Sequence, residues 1–153
     1  MSGFRVRAMT QADAEAVARW HYDPPYDFYD FEADAEDLEE VLDPARRAGD
    51  YHAVDRDGEL VGFFSFKRHG DALEIGLGIR PDLTGRGAGA GFLEAGLDFA
   101  REKFTPKTLW LDVATWNERA KKVYERAGFE PGHVWTHETR QGPVDFLRMS
   151  RPA

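Results

Sequence analysis

The sequence predicts an α+β fold, with a mixed but mostly antiparallel central sheet of about six to seven strands and about four flanking helices. Its 153 residues and 42% hydrophobic composition suit one ordinary core, so residues 1–153 are predicted to form a single domain. Hairpin signals in both halves of the chain predict antiparallel pairing. Helical periodicity between them predicts helices that connect the strands.

The chain starts with an amphipathic strand followed by a capped helix. Phe4–Ala8 is the predicted strand. Thr10, with Asp13 three residues later, forms a pattern like a capping box and predicts the start of the helix. Pro24-Pro25 then ends this helix, because proline cannot continue the backbone hydrogen bonding.

A second short helix and a hairpin complete the first half. The helix is predicted at 34–42 and ends at Pro44. Two strand-like runs, 51–54 and 60–66, flank Asp57-Gly58. An Asp-Gly pair between two such runs favours a two-residue hairpin turn.

The second half alternates strands and helices before a final hairpin. Four aliphatic residues alternate with Glu74, Gly76 and Gly78 in a strand predicted at 72–79. The two glycines indicate either a bulge or close approach of a ligand to bare backbone. The remaining predictions are a helix from about 88 to 104, a strand at 109–113, a helix at 118–127 capped by Gly128, and a hairpin of 134–140 with 144–149 around Gln141-Gly142-Pro143.

The most informative segment is the glycine-rich stretch 80–91, which joins a strand to a long helix. Glycines allow backbone N–H groups to turn towards one point, and a helix N-terminus adds partial positive charge there. Arg86 adds a full charge at the same place. These features predict a site for a phosphate, and a pyrophosphate fits best.

Two common phosphate-binding loops, the Walker loop and the Rossmann loop, fit this stretch poorly. A Walker loop would need Gly-Lys-Ser/Thr at its end, which the sequence lacks. A Rossmann loop fits the pattern from Gly85 to Ala90, with Asp112 as the ribose-binding acid. However, the loop lies in mid-chain after antiparallel hairpin signals, and too few residues follow it for repeated strand–helix units.

A third interpretation fits the glycine-rich stretch better. The order of a strand, this glycine-rich loop and a long helix resembles the GNAT family of N-acetyltransferases. The likeness rests on four motifs at the family's spacing and closely spans 72–130. The first motif is the glycine-rich stretch, and the other three are Leu109-Trp110-Leu111-Asp112-Val113, Asn117-x-x-Ala120-x-x-x-Tyr124 and Gly128-Phe129. Thr84 departs from the family, which usually has Gln or Arg there. The resemblance implies acetyl-CoA as cosubstrate, direct transfer without a metal, and donor-binding residues Leu77, Gly78, Ile79, Thr84, Gly85, Arg86, Gly87, Ala88, Gly89, Ala90, Asn117 and Tyr124.

The resemblance also implies catalytic roles. Tyr124 matches the tyrosine that protonates the departing sulfur. An ammonium acceptor must first lose its proton, because a lysine-like amine titrates near about 10. Glu74 and Asp112 are the two candidate bases, with Glu74 preferred, and His21 and His137 are weaker candidates.

An aromatic segment lies where the family covers its acceptor site. Its predicted acceptor-binding residues are Trp20, Tyr22, Asp23, Tyr26, Asp27 and Tyr29. Aromatic walls beside carboxylates suit a cationic amine with an apolar or planar body. Packing in the core is the alternative role for several of these rings.

Charge and composition narrow the partners. The net charge is −8, and ten acidic residues lie between Asp23 and Asp43 without one Lys or Arg. The remaining 18 acids and 20 bases leave no strong basic footprint, which argues against nucleic-acid binding. The apolar stretches are too short to span a membrane, and no signal-peptide pattern follows Met1. The absence of cysteine excludes disulfides and thiolate metal sites, so a cytoplasmic location is the default expectation.

The expected function is therefore transfer of an acetyl group from acetyl-CoA to a small cationic amine. Two alternatives stay open at this point: a peptide or protein N-terminal amine as acceptor, and a non-catalytic acyl-CoA sensor. The family often dimerises through its last strands, so a homodimer is also a candidate assembly.

Overall fold

One seven-stranded sheet, in the order β1-β2-β3-β4-β5-β7-β6, runs through the computed structural model, which describes residues 3–139 and 142–153. The strands are β1 (Phe4–Ala8), β2 (Tyr51–Arg56), β3 (Glu59–His69), β4 (Ala72–Ile79), β5 (Thr108–Ala114), β6 (Glu130–Thr139) and β7 (Gly142–Pro152). The helices are α1 (Gln11–Ala18), α2 (Ala35–Leu42), α3 (Pro44–Arg47), α4 (Gly89–Phe104) and α5 (Glu118–Arg126). The predicted α+β class and the mixed sheet are confirmed.

A single parallel pair creates the main irregularity of the sheet. All other neighbouring strands pair antiparallel, whereas β4 and β5 are parallel. Their ladder joins only Ala72–Glu74 to Thr108–Trp110. Beyond Glu74 the described part of β4 has no ladder on that side, so one edge of 75–79 is open towards β5.

Two apolar clusters cover the two faces of the sheet. The larger cluster lies against α4 and includes Phe64, Phe66, Phe92 and Leu97, all at most 2% exposed. The smaller cluster lies on the opposite face, beneath α1 and α2, where Val17 and Val41 are fully buried. The first two helices therefore stand on the sheet face to which Glu74 also belongs, since Glu74 alternates with the buried Leu73 and Ile75.

Several local predictions are confirmed. The Thr10 hydroxyl accepts a hydrogen bond from Asp13 N–H at 3.1 Å, and the Asp13 carboxylate accepts one from Thr10 N–H at 2.9 Å, which completes the capping box. Asp57 and Gly58 both have positive φ, at 53° and 80°, as the two-residue hairpin turn requires.

Other boundaries differ from the predictions. Pro44 follows an Asp43 cap and begins α3, because proline is well suited to the first position of a helix. Strand β6 begins at Glu130 rather than Val134, since pairing with β7 continues past a register shift between Pro131 and Val134. The turn at Arg140 and Gln141 lies outside the described residues.

The glycines of β4 have a structural explanation. Strands β3 and β4 pair in a continuous register, so the expected bulge does not occur within their described ladder. A Cβ atom at Gly76 would stand 2.3 Å from the Ser65 hydroxyl, and one at Gly78 would stand 2.3 Å from the Phe63 ring. Both glycines therefore make room for side chains of β3. Among the described residues, no helix is long and apolar enough to cross a membrane.

Candidate functional site

The glycine-rich stretch forms a bare helix start. After β4, residues Pro81–Leu83 make a single 3-10 turn, and Gly85 and Gly87 then adopt positive φ values of 72° and 79°. The first hydrogen bond of α4 runs from Phe92 N–H to the Ala88 carbonyl, so the N–H groups of 89–91 point out of the helix start. Within the described residues no side chain caps this end. The segment can therefore bind an anion with backbone donors.

A pocket of about 340 Å³, here called the loop pocket, adjoins this segment. It lies between the aromatic segment, the 3-10 turn and the start of α5, and it is lined by His21, Tyr22, Asp23, Pro24, Tyr26, Pro81, Asp82, Thr84 and Arg119. The Arg119 guanidinium stacks on the Tyr26 ring, 4.0 Å from its centroid. Thr84 uses its hydroxyl to donate to the Pro81 carbonyl at 2.7 Å, so this residue holds the turn.

The hydrogen-bond pattern shows which backbone groups of β4 lie on its open edge. Arg80 N–H donates to the Val61 carbonyl at 2.7 Å, which makes this pair a hydrogen-bonded one in the β3–β4 ladder. Hydrogen-bonded pairs alternate along an antiparallel ladder, so Gly78 also points its polar groups towards β3. The N–H and C=O groups of Leu77 and Ile79 consequently face the opening between β4 and β5. We call this opening the cleft.

Residues 20–31, here called the strap, bond to both sides of the cleft. The Tyr22 hydroxyl donates to the Ile79 carbonyl at 2.8 Å. The Tyr29 hydroxyl accepts a hydrogen bond from Ala114 N–H at 3.3 Å, at the end of β5. Inside the strap, Asp30 accepts from Tyr22 N–H at 2.9 Å and contacts His21 at 3.0 Å. Asp30 thus maintains the strap's shape.

Asn117 and Tyr124 occupy the β5 side of the cleft. Asn117 is 7% exposed, and its Oδ1 accepts from Ala120 N–H at 3.1 Å, which caps α5. Its Nδ2 donates to the Tyr29 hydroxyl at 3.2 Å. Burial raises the pKa of Tyr124, with a smaller contribution from the nearby Tyr29. Tyr124 therefore stays protonated at neutral pH and can act as a proton donor.

The two candidate bases differ in their partners. Glu74 lies at the last position of β4 that pairs with β5, and its Oε1 is 2.8 Å from His69 Nε2. Asp112 accepts hydrogen bonds from Nε and Nη2 of Arg148, each at 3.0 Å, and Arg148 also stacks over Trp110 at 3.9 Å. The Asp112 charge is thus already matched by a cation. Glu74 is the more available proton acceptor of the two.

A second pocket, of about 300 Å³, lies between the strap, the start of α2 and the last two strands. We call it the acidic pocket, because Asp30, Asp34, Glu36 and Asp37 line it together with Phe28, Tyr29, Ala33, His137, Thr139 and Phe146. Asp34 caps α2 by accepting from the N–H groups of Glu36 and Asp37 at 2.9 and 3.2 Å. Glu36 and Asp37 have no such capping role, so their charges can serve a ligand.

Asp37 lies in a partly desolvated environment beside other acidic residues. Desolvation first, and then the negative charges of Asp34 and Glu40, raise the pKa of Asp37 to about 6. A positive group entering the acidic pocket would offset this repulsion. Aromatic rings beside carboxylates are suited to the same type of ligand.

The predicted acceptor residues divide into four groups. Tyr29 lines the acidic pocket, whereas Tyr22, Asp23 and Tyr26 line the loop pocket. Trp20 packs on Phe63 at a ring distance of 6.4 Å, in the smaller core. Asp27 is exposed on the strap.

Sequence reasoning missed two features of these pockets. Arg119, at the start of α5, supplies a cation to the loop pocket, and its position two residues after Asn117 was a signal that could have found it. Phe146 and His137 line the acidic pocket because β6 and β7 bring them onto the face covered by the strap. That placement depends on sheet order, which local sequence does not encode.

Several solved structures of acetyltransferases share this fold. Spermidine N-acetyltransferase from Vibrio cholerae, in complex with CoA and spermine, superposes with a TM-score of 0.79 at 21% identity, covering 99% of this chain and 96% of that one. Aminoglycoside acetyltransferase AAC(6')-Ib in complex with coenzyme A superposes with a TM-score of 0.72 at 19% identity, covering 97% and 95%. At these identities the likeness concerns the fold.

The chain belongs to the GNAT family, because the family described as "Acetyltransferase (GNAT) domain" matches residues 4–130. Curated relatives include mycothiol acetyltransferase from Streptomyces coelicolor, 40% identical over 93 residues, which cover 58% of this chain and 28% of the relative. Mycothiol acetyltransferase from Acidimicrobium ferrooxidans is 35% identical over 105 residues, covering 65% and 32%. The chain thus matches about a third or less of these relatives' length.

Proposed function

We propose that this protein transfers an acetyl group from acetyl-CoA to a primary amine, and that the acceptor is a small cationic amine. The observation that carries the proposal is the uncapped start of α4 beside the open edge of β4. One part offers N–H groups to a pyrophosphate, and the other offers a strand edge to an extended arm. Coenzyme A combines these two chemical features in one molecule.

The donor fits the residues of this site. Backbone N–H groups of 86–90 and the Arg86 side chain would hold the pyrophosphate, and Arg119 in the loop pocket would add a second positive charge. The N–H and C=O groups of Leu77 and the N–H of Ile79 would pair with the pantetheine arm, since the Ile79 carbonyl already accepts from Tyr22. An N–H of that edge would also donate to the thioester oxygen as negative charge develops there.

Direct transfer needs one proton acceptor and one proton donor. The acceptor ammonium loses a proton to Glu74, directly or through water, and the amine nitrogen then bonds to the thioester carbon. The carbon–sulfur bond breaks, Tyr124 gives its proton to the departing thiolate, and the second proton lost by the new amide nitrogen returns through water to the Tyr124 oxygen, while Glu74 releases its proton to solvent. The Tyr124 phenol suits this role because burial keeps it protonated. Asp112 is the less suitable base because Arg148 already binds both of its oxygens.

The acidic pocket supports a small cationic acceptor. Its volume of about 300 Å³ suits a small molecule rather than a folded polypeptide segment. Glu36 and Asp37 supply negative charge, and Phe28 and Phe146 supply apolar walls. The spermidine and aminoglycoside acetyltransferases among the structural neighbours act on amines, which agrees with this acceptor class.

The donor assignment is tested by calorimetric titration with coenzyme A and, separately, with NAD. We expect the wild-type protein to bind coenzyme A, and Arg86→Glu to bind it at least about tenfold more weakly, since the substitution places an anion where the pyrophosphate belongs. Lys122→Glu makes the same charge change at an exposed position of α5 and should leave binding nearly unchanged. Binding of NAD but not coenzyme A would refute the assignment.

A further inference from the structure

The Tyr29 hydroxyl has an unused proton. Its oxygen accepts hydrogen bonds from Ala114 N–H at 3.3 Å and from Asn117 Nδ2 at 3.2 Å. A hydroxyl has two acceptor positions and one donor, so both acceptor positions are filled and only the O–H remains. Within residues 3–139 and 142–153, no group accepts this proton. Tyr29 is 38% exposed, so this O–H can donate to a ligand that enters beside it.

The two hydrogen bonds also set the strength and direction of this donor. Burial raises the pKa of Tyr29, and the bonds from Asn117 and Ala114 act against this rise. The phenol therefore keeps its proton at neutral pH while its oxygen is polarised by two donors, which strengthens the hydrogen bond that it can give. Because Asn117 also caps α5 through Oδ1, its amide orientation is fixed.

Tyr29 lies where the two substrates would meet. Its ring forms part of the acidic pocket, and its hydroxyl is bound at the β5 side of the cleft. Tyr29 also lies close enough to Tyr124, the proposed proton donor, to contribute to the raised pKa of Tyr124. A carbonyl oxygen entering the cleft would come close to this hydroxyl.

Resting on the proposed acetyl-CoA-dependent function, we infer that the Tyr29 hydroxyl donates a hydrogen bond to a carbonyl oxygen of the acyl donor. Ala114 and Asn117 orient the hydroxyl for this contact. The oxygen belongs either to an amide of the pantetheine arm or to the thioester. Tyr29 keeps its proton throughout, so the contact positions and polarises the donor without changing the balance of the reaction.

The substitution Tyr29→Phe tests this contact, because it removes the hydroxyl and retains the ring that lines the acidic pocket. Calorimetric affinities are measured for coenzyme A and for acetyl-CoA with the full chain. If the oxygen is an amide of the arm, both ligands bind about three- to tenfold more weakly, the usual effect of one neutral hydrogen bond. If it is the thioester oxygen, coenzyme A binding is unchanged and only the acetyl-CoA affinity falls. Unchanged affinity for both ligands overturns the inference.

Two further variants separate this contact from a general effect on the strap. Tyr22→Phe removes the strap's bond to the Ile79 carbonyl on the other side of the cleft. An equal loss of affinity in Tyr22→Phe would show that strap loosening is the cause, and this would also overturn the inference. Tyr51→Phe removes a hydroxyl from a tyrosine of the smaller core, outside the cleft, and reports the effect on folding alone. If the wild type binds neither ligand, the proposed function itself fails, which is a separate outcome.

Discussion

Tyr124 is the proton donor that we propose for the departing thiolate. Its ring packs against Phe129 at 6.2 Å, and burial raises the pKa of its hydroxyl. We expect Tyr124→Phe to lower kcat by about tenfold or more with little change in donor affinity, because a proton donor acts mainly in the transition state. Steady-state kinetics together with coenzyme A titration check this. A raised dissociation constant with unchanged kcat would assign Tyr124 to donor binding instead.

The base is tested by comparing two carboxylates. Glu74→Gln should reduce kcat/KM at neutral pH by about a hundredfold or more, and higher pH should restore part of the activity because more of the acceptor amine is then unprotonated. Asp112→Asn should have a smaller effect without this rescue, since Asp112 is bound to Arg148. Rate–pH profiles of both variants show which carboxylate acts as the base. A rescue seen only in Asp112→Asn would reverse the assignment.

At the residue scale, motif spacing predicted the local capping role of Asn117 but not its distant hydrogen-bond partner. Asn117 was expected to cap a helix, and it does. Its second partner, the Tyr29 hydroxyl, lies 88 positions away in sequence, so no local pattern could indicate it. The Asp112–Arg148 pair likewise depends on β5 and β7 being neighbours in the sheet.

At the scale of elements, α1 is held by charge as well as by its cap. Arg7 of β1 binds the Asp13 carboxylate at 2.6 Å, and this lowers the pKa of Asp13 to about 2. A carboxyl whose pKa is lowered on folding stabilises the protein above its unfolded pKa of about 3.8, and this contribution disappears as the pH falls through about 2.

Asp13→Asn should therefore destabilise the protein by about 1–2 kcal/mol at pH 7, because the amide retains a capping oxygen but loses the charge facing Arg7. Urea unfolding at neutral pH measures the difference. The gap between wild type and variant should narrow as the pH approaches 2. Asp98→Asn, in an exposed pair with Arg101, is the control and should change stability much less. Equal effects of the two variants would contradict a specific role for Asp13.

Element boundaries were predictable where local chemistry determines them. The capping box of α1 and the Asp-Gly turn are examples, since each depends on a few adjacent residues. The early start of β6 was not predictable, because 130–133 are included by pairing with β7 and not by an alternating pattern. The open edge of β4 results from the short ladder with β5, so no local pattern of residues could indicate it.

For the whole molecule, the uneven charge predicts how the acceptor is selected. Ten acidic residues fall within 23–43, and four acidic residues line the acidic pocket. Glu36→Gln with Asp37→Asn should raise the acceptor KM about fivefold or more while coenzyme A affinity is retained. In the wild type, acceptor kcat/KM should fall with added salt, because a Debye length of about 10 Å at 0.1 M screens such attraction.

The pH dependence gives a second measure of the same pocket. The pKa of Asp37 is raised to about 6, so its negative charge is lost as the pH falls through that value. Wild-type kcat/KM for the acceptor should fall as the pH drops through about 6. The double variant should not show the part of this fall that Asp37 causes. Glu15→Gln with Glu39→Gln changes the net charge equally at exposed positions and serves as the control. An equal rise in acceptor KM in the control would mean that only the overall charge matters.

The central claim is tested most directly by amine-dependent release of the coenzyme A thiol. The wild-type protein is incubated with acetyl-CoA and a panel of small cationic, neutral and acidic primary amines, and products are identified by mass spectrometry. We predict thiol release that depends on a cationic amine, with an acetylated amine formed in equal amount. Coenzyme A binding without thiol release for any amine would contradict the claim and identify an acyl-CoA-binding protein without transferase activity.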